Sequence, residues 1–231
     1  MKNSFSYMLF SLVFVLSFSC KSIMPDNTDD PIDIEENPTD TLKVFSCNQD
    51  FNYTHQKGCD GKEYPDPMTS KYILPFPEGT VVKTGLTNCS SSYHGSGYPD
   101  RYAFDFNKPV GTKFYACRGG KVVYVVDDQP SDGGGEKYGN WVIIDHGDNT
   151  YGIYLHSPKY GISVAEGDTV KQGDLLGEIG RSGLAGYPHL HFIVVQNGYE
   201  WPYDPIPITF RNVSPADVIL KSNTEYKVCK Y

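Results

Sequence analysis

The chain has 231 residues, which fits one medium-sized domain with short appended segments. A formal net charge of -8 disfavours a nucleic-acid-binding protein, because such proteins usually present a basic face to the phosphates. Hydrophobic residues make up 39% of the chain, so a packed core can form, and the 18 Tyr, 12 Phe, 23 Gly and 16 Pro favour short strands and tight turns over a helical bundle.

The N-terminus is predicted to be an export signal. Residues 2–19 carry one charge, at Lys2, and residues 8–18 are almost wholly apolar. This run is shorter than the roughly 20 residues that a membrane-spanning helix needs, so residues 1–19 are interpreted as a signal peptide. The run ends in Leu-Ser-Phe-Ser-Cys, which resembles a bacterial lipoprotein signal and predicts lipidation at Cys20 and a place in the cell envelope. An ordinary signal peptide that gives a secreted protein is the alternative.

Two segments separate this signal from the first predicted strands. Residues 21–43 contain seven acidic residues, two basic residues and three prolines. Such a composition buries too little apolar surface to fold, so residues 20–43 are predicted to be a lipidated cysteine followed by a disordered acidic tether. Residues 44–88, which several prolines interrupt, are predicted to be an N-terminal extension packed on the main domain.

From residue 89 onwards, short apolar runs alternate with Gly, Asn and Asp. The pattern predicts β-strands at residues 101–106, 112–117, 121–127, 140–146, 151–156, 174–179 and 189–196. No segment has sustained helical periodicity. A mostly β domain is therefore predicted over residues 89–212, followed by a C-terminal tail at residues 213–231.

The six cysteines are predicted to include disulfides, because an exported protein meets an oxidising compartment. With one cysteine lipidated, five remain, so at least one is unpaired or pairs between chains. The expected pairs are Cys47–Cys59, which closes a local loop, and Cys89–Cys117, with Cys229 left over.

Two histidines alternate with apolar residues in the last predicted strand. Successive side chains of a strand point to opposite faces, so His189 and His191 project together, about 7 Å apart. Leu190, Phe192 and Val194 then fill the core side. Because neutral His is a common zinc ligand, the pair predicts a metal or catalytic site.

Three more residues are candidates for the same pocket. His156 ends the predicted strand 151–156, where simple alternation places it on the same face as Tyr154. Asp105 points to the other face of its strand from the aromatic side chains next to it. A carboxylate in such surroundings is costly to bury unless it binds a metal or pairs with a positive charge. His94 precedes that strand in the chain.

This ordered set resembles the lysostaphin-type, or LytM-like, family of zinc metallopeptidases. In that family a His and an Asp come first, a strand ending Tyr-x-His follows, and His-x-His comes last. The surrounding segments that are also similar to the family are 108–112, 116–123, 139–146, 167–174 and 180–183. The resemblance covers roughly residues 89–210 and implies a small antiparallel β-sheet domain of the duplicated-hybrid-motif, or barrel-sandwich-like, kind.

Carried over residue by residue, the resemblance implies His94, Asp105 and His191 as the ligands of one zinc ion. It implies His156 and His189 as the catalytic pair. One of these two is expected to accept a proton from the attacking water, and the other to stabilise the oxyanion and help to protonate the leaving amine.

The first histidine is where the sequence departs from the family. Ten residues separate His94 from Asp105, whereas three separate the corresponding residues in the compact form of the family. His55 is therefore an alternative first ligand. His146, which follows Asp145 at a strand end, is interpreted as structural.

The resemblance also implies the substrate, which is a peptide bond in the stems or cross-bridges of peptidoglycan. The enzyme is expected to act as a monomer. A catalytically silent module that binds or regulates the cell wall is the alternative, and the filled ligand positions favour the enzyme. The aromatic residues that are candidates to line a peptide groove are Tyr93, Tyr98, Tyr138, Tyr187 and Trp201.

Overall fold

The structure is a computed structural model that describes residues 45–48, 50–133 and 139–231. Within those residues the regular elements are β-strands and two 3-10 helices, Pro67–Thr69 and Ser92–His94. The strands are β1 (Val81–Thr84), β2 (Phe104–Asn107), β3 (Lys113–Tyr115), β4 (Gly120–Val126), β5 (Asn140–Asp145), β6 (Thr150–Ser157), β7 (Thr169–Val170), β8 (Leu175–Glu178), β9 (His189–Gln196), β10 (Asp204–Pro205), β11 (Val213–Ser214) and β12 (Glu225–Val228). Each of the seven predicted strands overlaps one of these, and the mostly β fold class is confirmed.

Most of these strands form one antiparallel sheet. Its order among the described strands is β11-β12-β1-β2-β9-β6-β5-β4-β7, with β10 also paired to β9, and β3 and β8 form a separate pair. In the centre of the sheet, β2 pairs with β9 so that Asp105 lies opposite His191. On the other side of β9, Leu155 of β6 also lies opposite His191. This register brings the end of β6 next to Asp105 and His191.

The central strands are buried on both faces. In β9, Leu190, Phe192 and Val194 belong to the main core, as predicted, whereas Ile193 and Val195 belong to a second, smaller core. Fully burying an aliphatic or aromatic side chain stabilises a fold by roughly 1.5–3 kcal/mol relative to leaving it exposed. His189 and His191 point to the same side of β9 as Ile193 and Val195 of the second core. Their side chains therefore lie on the face of the sheet opposite the main core.

Residues that flank the main run of strands also enter the sheet. β1, from the N-terminal extension, pairs with β2, and β12, near the C-terminus, pairs with β1. The extension makes a further contact through Tyr64, whose ring lies edge-on to Tyr102 at 6.0 Å between centroids. Both flanking segments therefore support the strand that carries Asp105.

Two disulfides join these segments, and they are not the expected pairs. Cys47 is bonded to Cys229, and Cys59 is bonded to Cys89, whereas Cys117 is a free thiol in the main core. The expected pairing of Cys47 with Cys59 and of Cys89 with Cys117 is wrong. Local spacing does not reveal the bond between Cys47 and Cys229. The antiparallel pairing of β12 with β1 brings Cys229 beside the N-terminal extension, although the two cysteines are far apart in the sequence.

Replacing Cys229 with serine is expected to lower the free energy of unfolding by about 2–5 kcal/mol, because a cross-link that closes a long loop restricts the unfolded chain. The Cys47–Cys229 bond spans a sequence separation of 182 residues. Urea unfolding would measure the change. Since either substitution breaks the same bond, the Cys47→Ser/Cys229→Ser variant should match the single variants within about 0.5 kcal/mol. Additive losses would contradict the bond.

The N-terminal predictions lie outside the described residues. They are the signal peptide at residues 1–19, lipidation of Cys20 and the tether at residues 20–43, and they stay predictions. In the part of the chain that the structure covers, none of the helices has the length and hydrophobicity that crossing a membrane requires.

Candidate metal centre and active site

Three of the predicted metal ligands meet at one point of the sheet. His94 ends the second 3-10 helix, Asp105 lies in β2 and His191 lies opposite it in β9, and all three are buried. Oδ1 of Asp105 is 3.4 Å from Nε2 of His94 and 3.0 Å from Nδ1 of His191. One ligand atom of each residue lies within 4.8 Å of the other two. The structure thus brings together residues that are far apart in the sequence.

The donor set and its spacing fit a zinc ion. Zinc takes His nitrogens and carboxylate oxygens at about 2.0–2.2 Å in tetrahedral geometry, which separates two ligand atoms by roughly 3.3 Å. The two distances from Asp105, 3.4 Å and 3.0 Å, lie on either side of this value. A dication would also offset the buried carboxylate charge, which is costly without a partner.

A bulge at the end of β6 positions His156. The pairing of β5 with β6 shifts between Asn140 and Trp141, so Trp141 lies opposite Leu155 and Asn140 lies opposite Ser157. His156 is the extra residue, and its φ of 76° is in the left-handed region that non-glycine residues rarely adopt. The alternation of side chains along β6 is therefore interrupted at this residue.

The bulge corrects the prediction that Tyr154 and His156 share a face. Tyr154 is buried in the main core, where its hydroxyl accepts a hydrogen bond of 2.8 Å from the backbone amide of Cys117. The ring of His156 instead lies beside the two histidines of β9, with centroids 4.8 Å from His189 and 5.8 Å from His191. The predicted catalytic pair is thus adjacent to the candidate metal ligands.

Backbone carbonyls orient both imidazoles of this pair. Nδ1 of His156 is 2.9 Å from the carbonyl oxygen of Ser182, and Nδ1 of His189 is 2.8 Å from that of Tyr187. A carbonyl oxygen only accepts hydrogen bonds, so each Nδ1 carries the proton, and in the neutral ring each Nε2 has a free lone pair. Both residues can therefore accept a proton, or ligate a metal, at Nε2.

His191 belongs to two overlapping groups of potential ligands. Besides the set with His94 and Asp105, the three residues His156, His189 and His191 also have ligand atoms within 4.8 Å of one another. Only the first set contains a carboxylate to offset the charge of a dication. This difference favours the first set as the metal site and leaves His156 and His189 for proton transfer.

Two buried residues that the sequence analysis did not single out complete the surroundings of His191. Oδ1 of Asp100 lies 3.6 Å from Nε2 of His191, on the opposite side of the ring from Asp105. The hydroxyl of Tyr203 donates a hydrogen bond of 2.6 Å to the same oxygen. Asp100 and Tyr203 are 103 residues apart in the chain, so no local pattern links them to His191.

Burial and neighbouring charges set the protonation states of the site. Burial lowers the pKa of His191, but the carboxylates of Asp100 and Asp105 outweigh that effect and raise the pKa. These carboxylates favour a positive charge at this ring, and a zinc ion at Nδ1 would take the place of the proton there. Burial raises the pKa of Asp105, but hydrogen bonds from His191 and His94 hold it well below its usual range. Burial lowers the pKa of His156 to about 3, with a contribution from the neighbouring histidines, and it also lowers the pKa of His189. At neutral pH, Asp105 is therefore ionised, and His156 and His189, the predicted catalytic pair, are neutral.

These residues line a cavity of about 270 Å³. Tyr93 and Tyr187, two of the predicted groove residues, also line it, and the hydroxyl of Tyr187 lies 3.4 Å from Oδ2 of Asp105. Tyr98 packs against Tyr93, with ring centroids 5.7 Å apart. Tyr138 lies outside the described residues. Aromatic rings therefore flank the histidine cluster in this cavity.

The two other described histidines lie away from this cavity. The side chain of His55 is 78% exposed, and its Nδ1 is 3.6 Å from a carboxylate oxygen of Glu63. His146 is half-buried beside Tyr72, with Nδ1 3.0 Å from the hydroxyl of Thr150, and desolvation lowers its pKa to about 3. Among the described residues, neither belongs to a group of potential metal ligands. The geometry therefore favours His94 over His55.

An antiparallel sheet that presents His and Asp ligands beside two neutral histidines, in an open cavity, is the arrangement of a hydrolytic enzyme with a metal centre. Residues 99–205 match the family model described as Peptidase family M23, and this part of the chain is an M23 peptidase domain. The finding confirms the resemblance to lysostaphin-type enzymes. The matched segment includes Asp105, His156, His189 and His191 but not His94.

Similar proteins are found among endopeptidases. Glycyl-glycine endopeptidase ALE-1 of Staphylococcus capitis is 29% identical over 155 residues, which cover 63% of this chain and 41% of that protein. Peptidoglycan DD-endopeptidase ShyA of Vibrio cholerae is 35% identical over 170 residues, which cover 68% of this chain and 35% of that protein. The structure of lysostaphin from Staphylococcus simulans aligns with a TM-score of 0.46 at 23% identity, over 59% of this chain and 51% of that one. The chain thus spans less than half the length of these two curated relatives.

Proposed function

We propose that the protein is a zinc-dependent endopeptidase that hydrolyses peptide bonds in peptidoglycan stems or cross-bridges. The observation that carries the proposal is the buried carboxylate of Asp105 between His94 and His191, with His156 and His189 alongside. The names of the relatives, a glycyl-glycine endopeptidase and a peptidoglycan DD-endopeptidase, support peptidoglycan as the substrate class.

His94, Asp105 and His191 would hold one zinc ion, which when bound would supply Lewis acidity and bring the pKa of a water molecule toward about 7. His189 or His156 accepts the proton of the attacking water at Nε2, which the Nδ1 bonds to backbone carbonyls keep unprotonated. The other histidine is neutral before the reaction and receives the proton of the attacking water through its neighbour, whose ring centroid is 4.8 Å away. In that cationic form it stabilises the oxyanion and helps to protonate the leaving amine. The aromatic wall with Tyr93 and Tyr187 orients the peptide.

The proposal extends to the rest of the chain. We infer export directed by residues 1–19, anchoring to a membrane through a lipid on Cys20, and a tether at residues 20–43 that lets a monomer reach the wall. Residues 44–88 support a catalytic domain at residues 89–212, and residues 213–231 form the C-terminal segment. A silent wall-binding module is disfavoured, because all five ligand and catalytic positions carry suitable buried side chains.

Zinc content and wall digestion, measured together on the full chain, test the proposal. We expect one zinc per chain and release of peptide-linked fragments that carry new amino termini, identified by mass spectrometry. A chelator should stop the release, and added zinc should restore it. Zinc binding without cleavage of any peptidoglycan type would support the silent module instead, and absence of zinc would refute the metal assignment.

Asp100 provides a more selective test of the metal site. Replacing Asp100 with asparagine is expected to weaken zinc binding by about 10–100-fold, because carboxylates that hold a ligating histidine from its far side contribute that much to metal affinity. Competition with a chromophoric chelator would measure the dissociation constant. Tyr203→Phe keeps the carboxylate and removes only the hydroxyl, so its effect should be smaller. An Asp100→Asn variant with unchanged zinc affinity would remove Asp100 from this role.

A further inference from the structure

A second cavity, of about 300 Å³, is lined almost entirely by aromatic side chains. Tyr124 comes from β4 and Trp141 from β5, and the remaining residues come from the segment between β9 and β10. We call this cavity the aromatic groove, and its lining residues are Tyr124, Trp141, Tyr199, Glu200, Trp201 and Tyr203. It is separate from the peptide-lining residues Tyr93 and Tyr187.

The rings of the aromatic groove are held in place by contacts with one another. Tyr124 lies edge-on to Trp141, with centroids 5.1 Å apart, and Trp201 lies edge-on to Tyr203 at 5.2 Å. Trp141 and Tyr199 also pack against the second core. Tyr124 and Trp201 nevertheless remain 38% and 43% exposed. Fixed rings with exposed surface lose little conformational freedom when a ligand covers them.

The chemistry of this lining points to a neutral, hydroxyl-rich ligand. Among the described residues that line it, Glu200 alone is charged, so the aromatic groove offers no positive charge to attract an anion such as a nucleic acid or an acidic peptide. Pyranose rings present C–H groups on their faces and hydroxyl and amide groups on their edges. Aromatic rings suit such faces, and a carboxylate such as that of Glu200 is an acceptor for the hydroxyl and amide groups of the edges.

The aromatic groove adjoins the candidate active site. Tyr203 lines both cavities, and its hydroxyl bonds Asp100 beside His191. In peptidoglycan, each peptide stem is attached to a glycan strand. A substrate whose peptide occupies the first cavity therefore carries sugars on the same molecule, and the aromatic groove is the cavity next to it.

We propose that the aromatic groove is a glycan subsite that binds the β-linked N-acetylhexosamine strand of the substrate while the peptide occupies the adjoining cavity. This inference rests on the proposed function for the identity of the sugar. It assigns substrate specificity to residues outside the metal centre, and it makes glycan-bearing peptides better substrates than free peptides of the same sequence.

Intrinsic fluorescence gives a direct test, because both tryptophans of the chain, Trp141 and Trp201, line the aromatic groove. Peptide-free glycan strands contain no bond that the proposed peptidase cuts, so binding can be followed on the full chain without turnover. We expect a saturable change in tryptophan emission. Tyr124→Ala, which retains both tryptophans, should weaken binding at least about fivefold, the ratio that corresponds to roughly 1 kcal/mol.

Tyr160→Ala is the matched control, because Tyr160 is 74% exposed and packs on Lys159 rather than in the aromatic groove. It should bind glycan as the wild type does. Tyr124→Ala should also slow cleavage of glycan-bearing substrate while leaving cleavage of glycan-free peptide unchanged. Unfolding midpoints near that of the wild type would show that the fold is intact.

Three outcomes would overturn the subsite. The first is that glycan strands leave the tryptophan emission unchanged. The second is that the wild type and Tyr124→Ala bind glycan equally well. The third is that only glycan-free stem peptide, and not glycan, changes the emission. The test separates this inference from the proposed function. Cleavage of the wall without glycan binding refutes only the subsite, whereas glycan binding without cleavage of any wall type refutes only the peptidase.

Discussion

Replacing His191 with alanine is expected to remove the zinc ion and to slow peptidoglycan hydrolysis by at least about a thousandfold. His191 is the residue that both overlapping groups of potential ligands share, so its loss leaves no complete set. It also leaves the carboxylates of Asp100 and Asp105 buried without the imidazole that lies between them. Zinc per chain, from atomic emission, and the rate of peptide release would measure both effects.

The control for this variant is His55→Ala. Because the side chain of His55 is 78% exposed and distant from the cluster, the variant should keep both zinc and activity. Asp105→Asn, which is close in shape to the native residue, should also lose zinc, and its circular dichroism would show that metal loss is not loss of fold. A His191→Ala protein with one zinc per chain and near-normal turnover would contradict the assigned metal centre.

Replacing His189 with alanine is expected to lower the rate of hydrolysis by about 10²–10⁴-fold while leaving zinc bound. The reason is that the proposal gives Nε2 of His189 a part in proton transfer, whereas its metal ligands are His94, Asp105 and His191. His156→Ala should behave in the same way, because its imidazole is oriented by the same kind of Nδ1 bond.

The matched variant is His94→Ala, which should lose zinc. The two groups of potential ligands therefore predict opposite patterns of zinc loss among the alanine variants. If His156→Ala and His189→Ala lost the metal while His94→Ala retained it, the ion would be held by the three-histidine group, and the assigned roles would be reversed. The same comparison tests the residue that lies outside the matched family segment.

Local sequence patterns determined the strands and most of the candidate site. The alternation in β9 put His189 and His191 on one face and Leu190, Phe192 and Val194 in the main core, because side chains alternate along any extended strand. The same rule separated Asp105 from the phenylalanines beside it. These features depend on the backbone of a single strand, so they are readable from a short stretch of residues.

Only the tertiary structure decided how these strands meet and what surrounds them. The bulge that turns His156 away from Tyr154 arises where β6 pairs with β5, and alternation along one strand cannot reveal it. The pairing of Cys47 with Cys229 likewise depends on β12 returning to β1. The contact of Tyr203 with Asp100 joins residues 103 positions apart. Each of these features is a property of two segments brought together by sheet pairing and core packing, and the composition of either segment alone does not specify its partner.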